Sequence, residues 1–203
     1  MVALLAAGAQ LLDVRGAGEF AQGHVRGALN VGLDGKFATW AGTVLSPERP
    51  IVIIAGPGRH EEAATQLGRI GFDRVAGYLD TGMQAVEGRE DLLVRTERVT
   101  ASAIARELTA TNPPFVLDVR TPQEWQTRNI VGSDNIPLNH LGERISELPR
   151  DRRIVVYCAS GYRSSIAFSM LQRAGFDDLV ELAGGMAAWE AAKLPVDEDR
   201  HAA

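Results

Sequence analysis

Short apolar runs alternate along the chain with segments whose apolar residues recur every three or four positions, a pattern that predicts an α/β fold. Ile51 to Ile54 and Ile154 to Tyr157 are continuous, largely β-branched runs, as expected of central parallel strands covered on both faces. Leu11 to Arg15, Phe115 to Val119 and Leu179 to Leu182 read as further short strands. Between them, Thr100 to Thr109 places Ala103, Ile104 and Leu108 at helical spacing and is stopped by Asn112-Pro113-Pro114. Pro122 to Trp125 reads as one helical turn with Pro near its first position and the Trp pointing inward. Ser165 to Ala174 predicts a helix ended by Gly175, and Met186 to Ala192 a last helix before Pro195. The expected architecture is an open, mostly parallel sheet with helices on both faces, binding ligands beyond the carboxyl ends of its strands.

The pattern occurs twice. Leu12-Asp13-Val14-Arg15 returns as Leu117-Asp118-Val119-Arg120, Ile51 to Ile54 as Ile154 to Tyr157, Gly71-Phe72-Asp73 as Gly175-Phe176-Asp177, and Gly82-Met83 as Gly185-Met186. The offsets are 105, 103, 104 and 103 residues. Such near-constant spacing means two copies of one unit of about 100 residues rather than an array of short repeats. The expected domains are 1–90 and 99–203, joined through the charged segment Glu87 to Arg98. The first copy has only twelve residues before Asp13 and is expected to lack the opening strand of the second, as if trimmed from a longer protein.

Composition narrows the function. Of 203 residues 45% are apolar and 23% charged, enough for a real core. A net charge of −5 gives no basic footprint for nucleic acid or an anionic membrane. Val2 to Ala9 lacks a basic leader and runs straight into a strand, and no apolar run approaches the ~20 residues that span a bilayer. A single cysteine excludes an intramolecular disulfide and points to a reducing, cytoplasmic setting.

That cysteine lies in Tyr157-Cys158-Ala159-Ser160-Gly161-Tyr162-Arg163-Ser164-Ser165, between a strand and a helix. By residue type alone a lone cysteine is a small buried hydrophobe. Its position at a helix N-terminus, however, favours an anion and hence a thiolate. The first copy has Ala55-Gly56-Pro57-Gly58-Arg59 there, with alanine for cysteine, one residue fewer, and a proline that removes a backbone donor. Glu61-Glu62 bring negative charge where the second copy has Ser164-Ser165. The first unit is therefore expected to be structural or interface-forming and catalytically inactive. Two chemistries remain for Cys158. A cysteine phosphatase needs five residues between Cys and Arg to wrap a phosphate, whereas four intervene here, which favours a smaller guest such as a persulfide sulfur.

The chain resembles a tandem rhodanese (sulfurtransferase) pair over nearly its whole length. The residues that carry this are the two Leu-Asp-Val-Arg motifs, Glu19-Phe20 and Glu124-Trp125, Gly23 to Asn30, the Cys158 to Ser164 loop, and Gly184 to Trp189. The resemblance implies that Cys158 carries sulfur as a persulfide, taken from thiosulfate or a low-molecular-weight persulfide and passed to a thiol or cyanide. It implies a cradle of Ala159, Ser160, Gly161, Tyr162 and Arg163, with Arg163 holding the anionic donor and Tyr162 and Ser164 shaping the rim. Asp118 and Arg120 are candidate supporting residues near the loop, although a strand-end ion pair is the plainer account. No cofactor is expected.

Lys36 to Gly42 and the cysteine-less loop are similar to the inactive rhodanese unit that follows a metallo-β-lactamase-like domain in persulfide dioxygenase fusions. This implies an upstream domain as partner, and as an alternative function a sulfur-relay module that serves it without turnover. No metal site is expected, since His24, His60, His140 and His201 show no ligand spacing. The second copy departs from the family pattern where Arg128-Asn129-Ile130 replaces Gly-His-Ile. A histidine there is more plainly a structural donor than a catalyst. Trp40, Trp125 and Trp189 read as core or interface anchors, and Asp197 to Arg200 as a solvated tail.

Overall fold

The structure, a computed structural model, describes residues 2–198. The chain divides into two compact units, Met1–Arg95 and Thr96–Ala203. In the first, α1 (Val2–Ala6) leads into β1 (Gln10–Asp13), α2 (Ala17–Gln22), β2 (His24–Val25), β3 (Leu29–Asn30), α3 (Phe37–Val44), β4 (Ile51–Ile54), α4 (His60–Gly68), β5 (Val75–Tyr78) and β6 (Leu93–Val94). Its main sheet has the order β3-β1-β4-β5 and every pair in it is parallel. All four residues of β4 are buried, as their apolar run requires. Val52 and Ile54 join Phe20 of α2 in one core, while α4 packs against β4 and α3.

The second unit repeats this with β7 (Arg98–Val99), α5 (Ala101–Glu107), β8 (Phe115–Asp118), α6 (Pro122–Thr127), β9 (Arg128–Ile130), β10 (Asp134–Asn135), α7 (Leu138–Arg144), β11 (Ile154–Tyr157), α8 (Tyr162–Arg173), β12 (Leu179–Leu182), α9 (Gly185–Ala191) and β13 (Val196–Glu198). The parallel sheet runs β10-β8-β11-β12-β7. Val155 and Tyr157 share a core with Ile104 of α5 and Met186 and Trp189 of α9. Successive strand residues face opposite sides, and α8 packs on β11 and β12 together with α7.

Three expectations need correction. The segment Glu87 to Arg98 is no simple linker: Leu93–Val94 pairs antiparallel with β2, and Arg98–Val99 forms the edge strand beside β12. Charge and low aromatic content hid two-residue strands whose stability comes from sheet partners, not local propensity. The helix after Cys158 begins at Tyr162, three residues early, because Gly161 starts it directly. Asp197 and Glu198 are exposed, as a solvated segment should be, but they pair in β13 with β9 instead of forming a tail. Asp199 and Arg200, also read as tail, lie outside the described residues, as does His201.

Candidate active site

Tyr157 ends β11, and the chain turns through Cys158-Ala159-Ser160-Gly161 into α8. Gly161 adopts φ +118, a conformation that favours glycine, and its N–H donates to Cys158 Sγ over 3.2 Å. The thiol is 1% exposed. Its neighbour on the other side is Ser164 Oγ at 3.5 Å, which in turn donates to Glu181 Oε1 over 2.7 Å. Ala159 is half-buried and Ser160 exposed, so these residues form the outer part of the loop. Ser164 is fully buried behind the sulfur and shapes no rim, a correction to the expectation; Tyr162 is half-buried.

The loop is fixed from α9. Met186 and Ala187 donate their N–H groups to Cys158 O and Ala159 O at 2.8 and 3.0 Å. Gly185, at φ +58, makes that approach possible, since a Cβ there would lie 2.3 Å from Cys158 O. Gly82 stands in the same relation to Ala55 O, where a Cβ would lie 2.8 Å away.

Arg163 does not present a free cation to the loop. Its guanidinium is held by Glu124, Nη1 to Oε2 and Nη2 to Oε1, both at 2.7 Å. Glu124 belongs to the first turn of α6, where it also accepts from Thr121 N–H and closes a capping box. Chiefly through Arg163, its carboxyl is pulled down to about 2. The cation expected to hold the donor is thus already paired with a carboxylate in this structure.

Glu181 escaped the sequence reading. It is a single acid within the buried strand β12, fully shielded from solvent, and burial pushes its carboxyl up despite Ser164 and Arg98. Glu181 and Arg98 are directly opposed across β12 and β7, with Arg98 Nε 2.9 Å from Oε2. The pair is close enough for an ion pair but lacks hydrogen-bond alignment, leaving Oε2 without a hydrogen-bond partner. A charged residue inside an otherwise apolar strand was the available signal, because a buried charge demands a partner.

Asp118 and Arg120 form a buried ion pair at 2.6 Å, and Arg120 also donates to Arg128 O. The first unit repeats it bond for bond: Asp13 pairs with Arg15 at 2.6 Å, and Arg15 donates to Gly23 O. Asn135 Nδ2 donates to Asp118 O and Arg120 O, as Asn30 Nδ2 does to Asp13 O and Arg15 O. The constellation is thus kept intact in the unit without a cysteine. The departure at Asn129 has the same character. Asn129 Nδ2 donates to Trp125 O at 3.0 Å, where His24 Nδ1 donates to Phe20 O at 2.9 Å. Trp125 is half-buried rather than core, with Nε1 donating to Ser133 Oγ; Trp40 is also half-buried, and Trp189 is core.

An open cavity of about 410 Å³ beside α6 is lined by Arg120, Gln123, Glu124, Thr127, Arg128 and Glu190, and does not include Cys158. In the first unit a cavity of about 400 Å³ sits on the cysteine-less loop, with Arg15, Glu19, Ala55 and Asp80 in its wall. Among the described residues no group of three or more His, Cys, Asp and Glu could hold a metal ion, and no helix is long and apolar enough to cross a membrane.

The profile of the rhodanese-like domain matches residues 2–89 and again 100–192. The chain therefore belongs to the rhodanese-like domain family, with two tandem copies. It is 33% identical over 98 residues to a protein of Allochromatium vinosum named sulfurtransferase, covering 48% of this chain and 92% of that one. It is 45% identical over 76 residues to the probable adenylyltransferase/sulfurtransferase MoeZ of Mycobacterium tuberculosis, covering 36% of this chain and only 19% of that protein. The solved thiosulfate sulfurtransferase of Pseudomonas aeruginosa aligns with 97% of this chain and 42% of its own, at 29% identity and a TM-score of 0.48.

Proposed function

We propose that the second unit is a sulfurtransferase whose nucleophile is Cys158. The observation that carries this is the Gly161 N–H directed at Cys158 Sγ over 3.2 Å at the start of a twelve-residue helix. A backbone donor and a helix N-terminus stabilise negative charge on sulfur, both as thiolate and as persulfide. The sulfurtransferase relatives support the same chemistry.

In the first half-reaction the Cys158 thiolate attacks the sulfane sulfur of the donor. The donor's S–S bond breaks, its electron pair leaves with sulfite or a thiolate, and Cys158 becomes a persulfide. In the second, a thiolate or cyanide attacks the terminal sulfur and the Cys158 thiolate departs as leaving group. Because Arg163 is paired with Glu124 and Arg98 with Glu181, the charge available to a dianion is reduced. This favours a low-molecular-weight persulfide over thiosulfate as donor. The first unit, with Ala55 at the cysteine position, takes no part in the covalent step. Steady-state transfer to cyanide tests the reading: wild type turns over and Cys158→Ser does not, whereas equal rates in both would overturn it.

A further inference from the structure

Cys158, Ser164 and Glu181 form a continuous chain: Sγ lies 3.5 Å from Ser164 Oγ, and Ser164 Oγ lies 2.7 Å from Glu181 Oε1. All three residues are shielded from water. A buried acid with a raised affinity for its proton, joined to a buried thiol by one hydroxyl, is arranged to exchange a proton with it. We propose that Glu181, acting through the Ser164 hydroxyl, takes up the proton that leaves Cys158 when the nucleophilic thiolate forms.

The step balances without a co-reactant. The S–H bond breaks and its proton joins Ser164 Oγ, while the Ser164 O–H proton joins Glu181 Oε1. The products are a thiolate, an unchanged hydroxyl and a neutral carboxyl. One negative charge is present before and after, so no second charge is buried. Arg98 is the charged side chain facing Glu181 from β7, and Arg163 of α8 is held by Glu124. Gly161 lies beside the arrangement, where a Cβ would make ordinary van der Waals contact with Arg98 Nη2 and Glu181 Oε1 at 3.7 and 3.8 Å.

The first unit shows what happens when the thiol is absent. In β-sheet register Ile53 pairs with Tyr78 where Val156 pairs with Glu181. Tyr78 is 46% exposed and stacks on His60 at 3.8 Å. That unit has neither the cysteine nor the acid, and its sheet, among the described residues, ends at β5 without a strand equivalent to β7.

The inference rests on the proposed nucleophile, and Glu181 is a positioning residue in it. Its test is the ultraviolet thiolate absorbance of the single cysteine against pH, measured in the full chain and referenced to Cys158→Ser. The pair should hold a constant thiolate fraction over the interval in which it keeps one proton, giving a shelf in the profile. Glu181→Gln removes the shelf, so that thiolate falls about tenfold for each pH unit below the thiol titration. Ser164→Ala does the same and decides the matter if Glu181→Gln is unfolded by circular dichroism. Superposable profiles, or more thiolate in Glu181→Gln at every pH, would overturn the relay, the latter showing a carboxylate that only repels the thiolate. Sulfur uptake on Cys158, followed by mass in the same samples, separates the two ideas. A shelf without sulfur uptake sinks the sulfurtransferase reading alone, and uptake without a shelf sinks the relay alone.

Discussion

Glu124 holds Arg163 by two parallel 2.7 Å bonds, although the two residues are 39 positions apart. The clasp ties α6 to the start of α8 and withdraws a cation from the cysteine loop. Glu124→Gln weakens it and frees the guanidinium. The KM for thiosulfate should fall severalfold while that for a low-molecular-weight persulfide changes little; unchanged donor preference would argue against charge control at this site.

The same pair makes stability depend on pH. The Glu124 carboxyl is pulled from 4.5 to about 2, so its contribution is present above pH 4.5 and is lost as pH falls towards about 2. With the side chain 35% exposed, solvent screening limits the effect to about 1 kcal/mol. Chemical denaturation should show Glu124→Gln less stable than wild type by that amount at pH 7, with the gap closing as the solution is acidified below pH 4.5.

Gly185→Ala should be far more damaging than its chemistry suggests. A Cβ would lie 2.3 Å from Cys158 O, on a backbone with φ +58. We expect a loss of about 2 kcal/mol or more and a displaced cysteine loop that no longer takes up sulfur. Gly175→Ala is the control: φ is +79 but the space is open, so about 1 kcal/mol is lost and sulfur uptake persists. Thermal melts and sulfur-uptake assays on both variants make the comparison.

Asp13→Ala and Asp118→Ala should destabilise their units alike. Each leaves a mostly buried guanidinium without its carboxylate, at a cost of about 3 kcal/mol or more. Denaturation curves showing a large loss for Asp118→Ala and none for Asp13→Ala would indicate that the pair in the second unit does more than support the fold.

Restoring a thiol to the first unit should not restore chemistry. In Ala55→Cys combined with Cys158→Ser, the loop is still one residue short, Pro57 offers no N–H, and Glu61 and Glu62 occupy the first turn of α4. Donor treatment followed by intact-mass measurement should find no added sulfur on the introduced thiol; stoichiometric uptake there would show that the shorter loop suffices.

The fold was legible because buried parallel strands leave continuous apolar runs, and two such runs 103 residues apart, Ile51 to Ile54 and Ile154 to Tyr157, fixed both the sheet and the repeat. Cys158 stood out because its counterpart is Ala55. The surroundings of the thiol were less legible. Arg98 lies in a charged stretch that resembles a linker until β12 pairs with it, and Glu181 faces Arg98 only through that cross-strand register. Arg163 looked available because nothing near it in sequence announces Glu124. Pairings of this kind depend on which strands and helices meet, which local periodicity does not encode.

The most direct test of sulfur transfer through Cys158 is the intact mass of the protein after incubation with a low-molecular-weight persulfide, followed by removal of excess donor. The expected result is one added sulfur atom, located on Cys158, released on addition of cyanide and absent in Cys158→Ser. A wild-type protein that gains no sulfur, or an equal gain in Cys158→Ser, would contradict it.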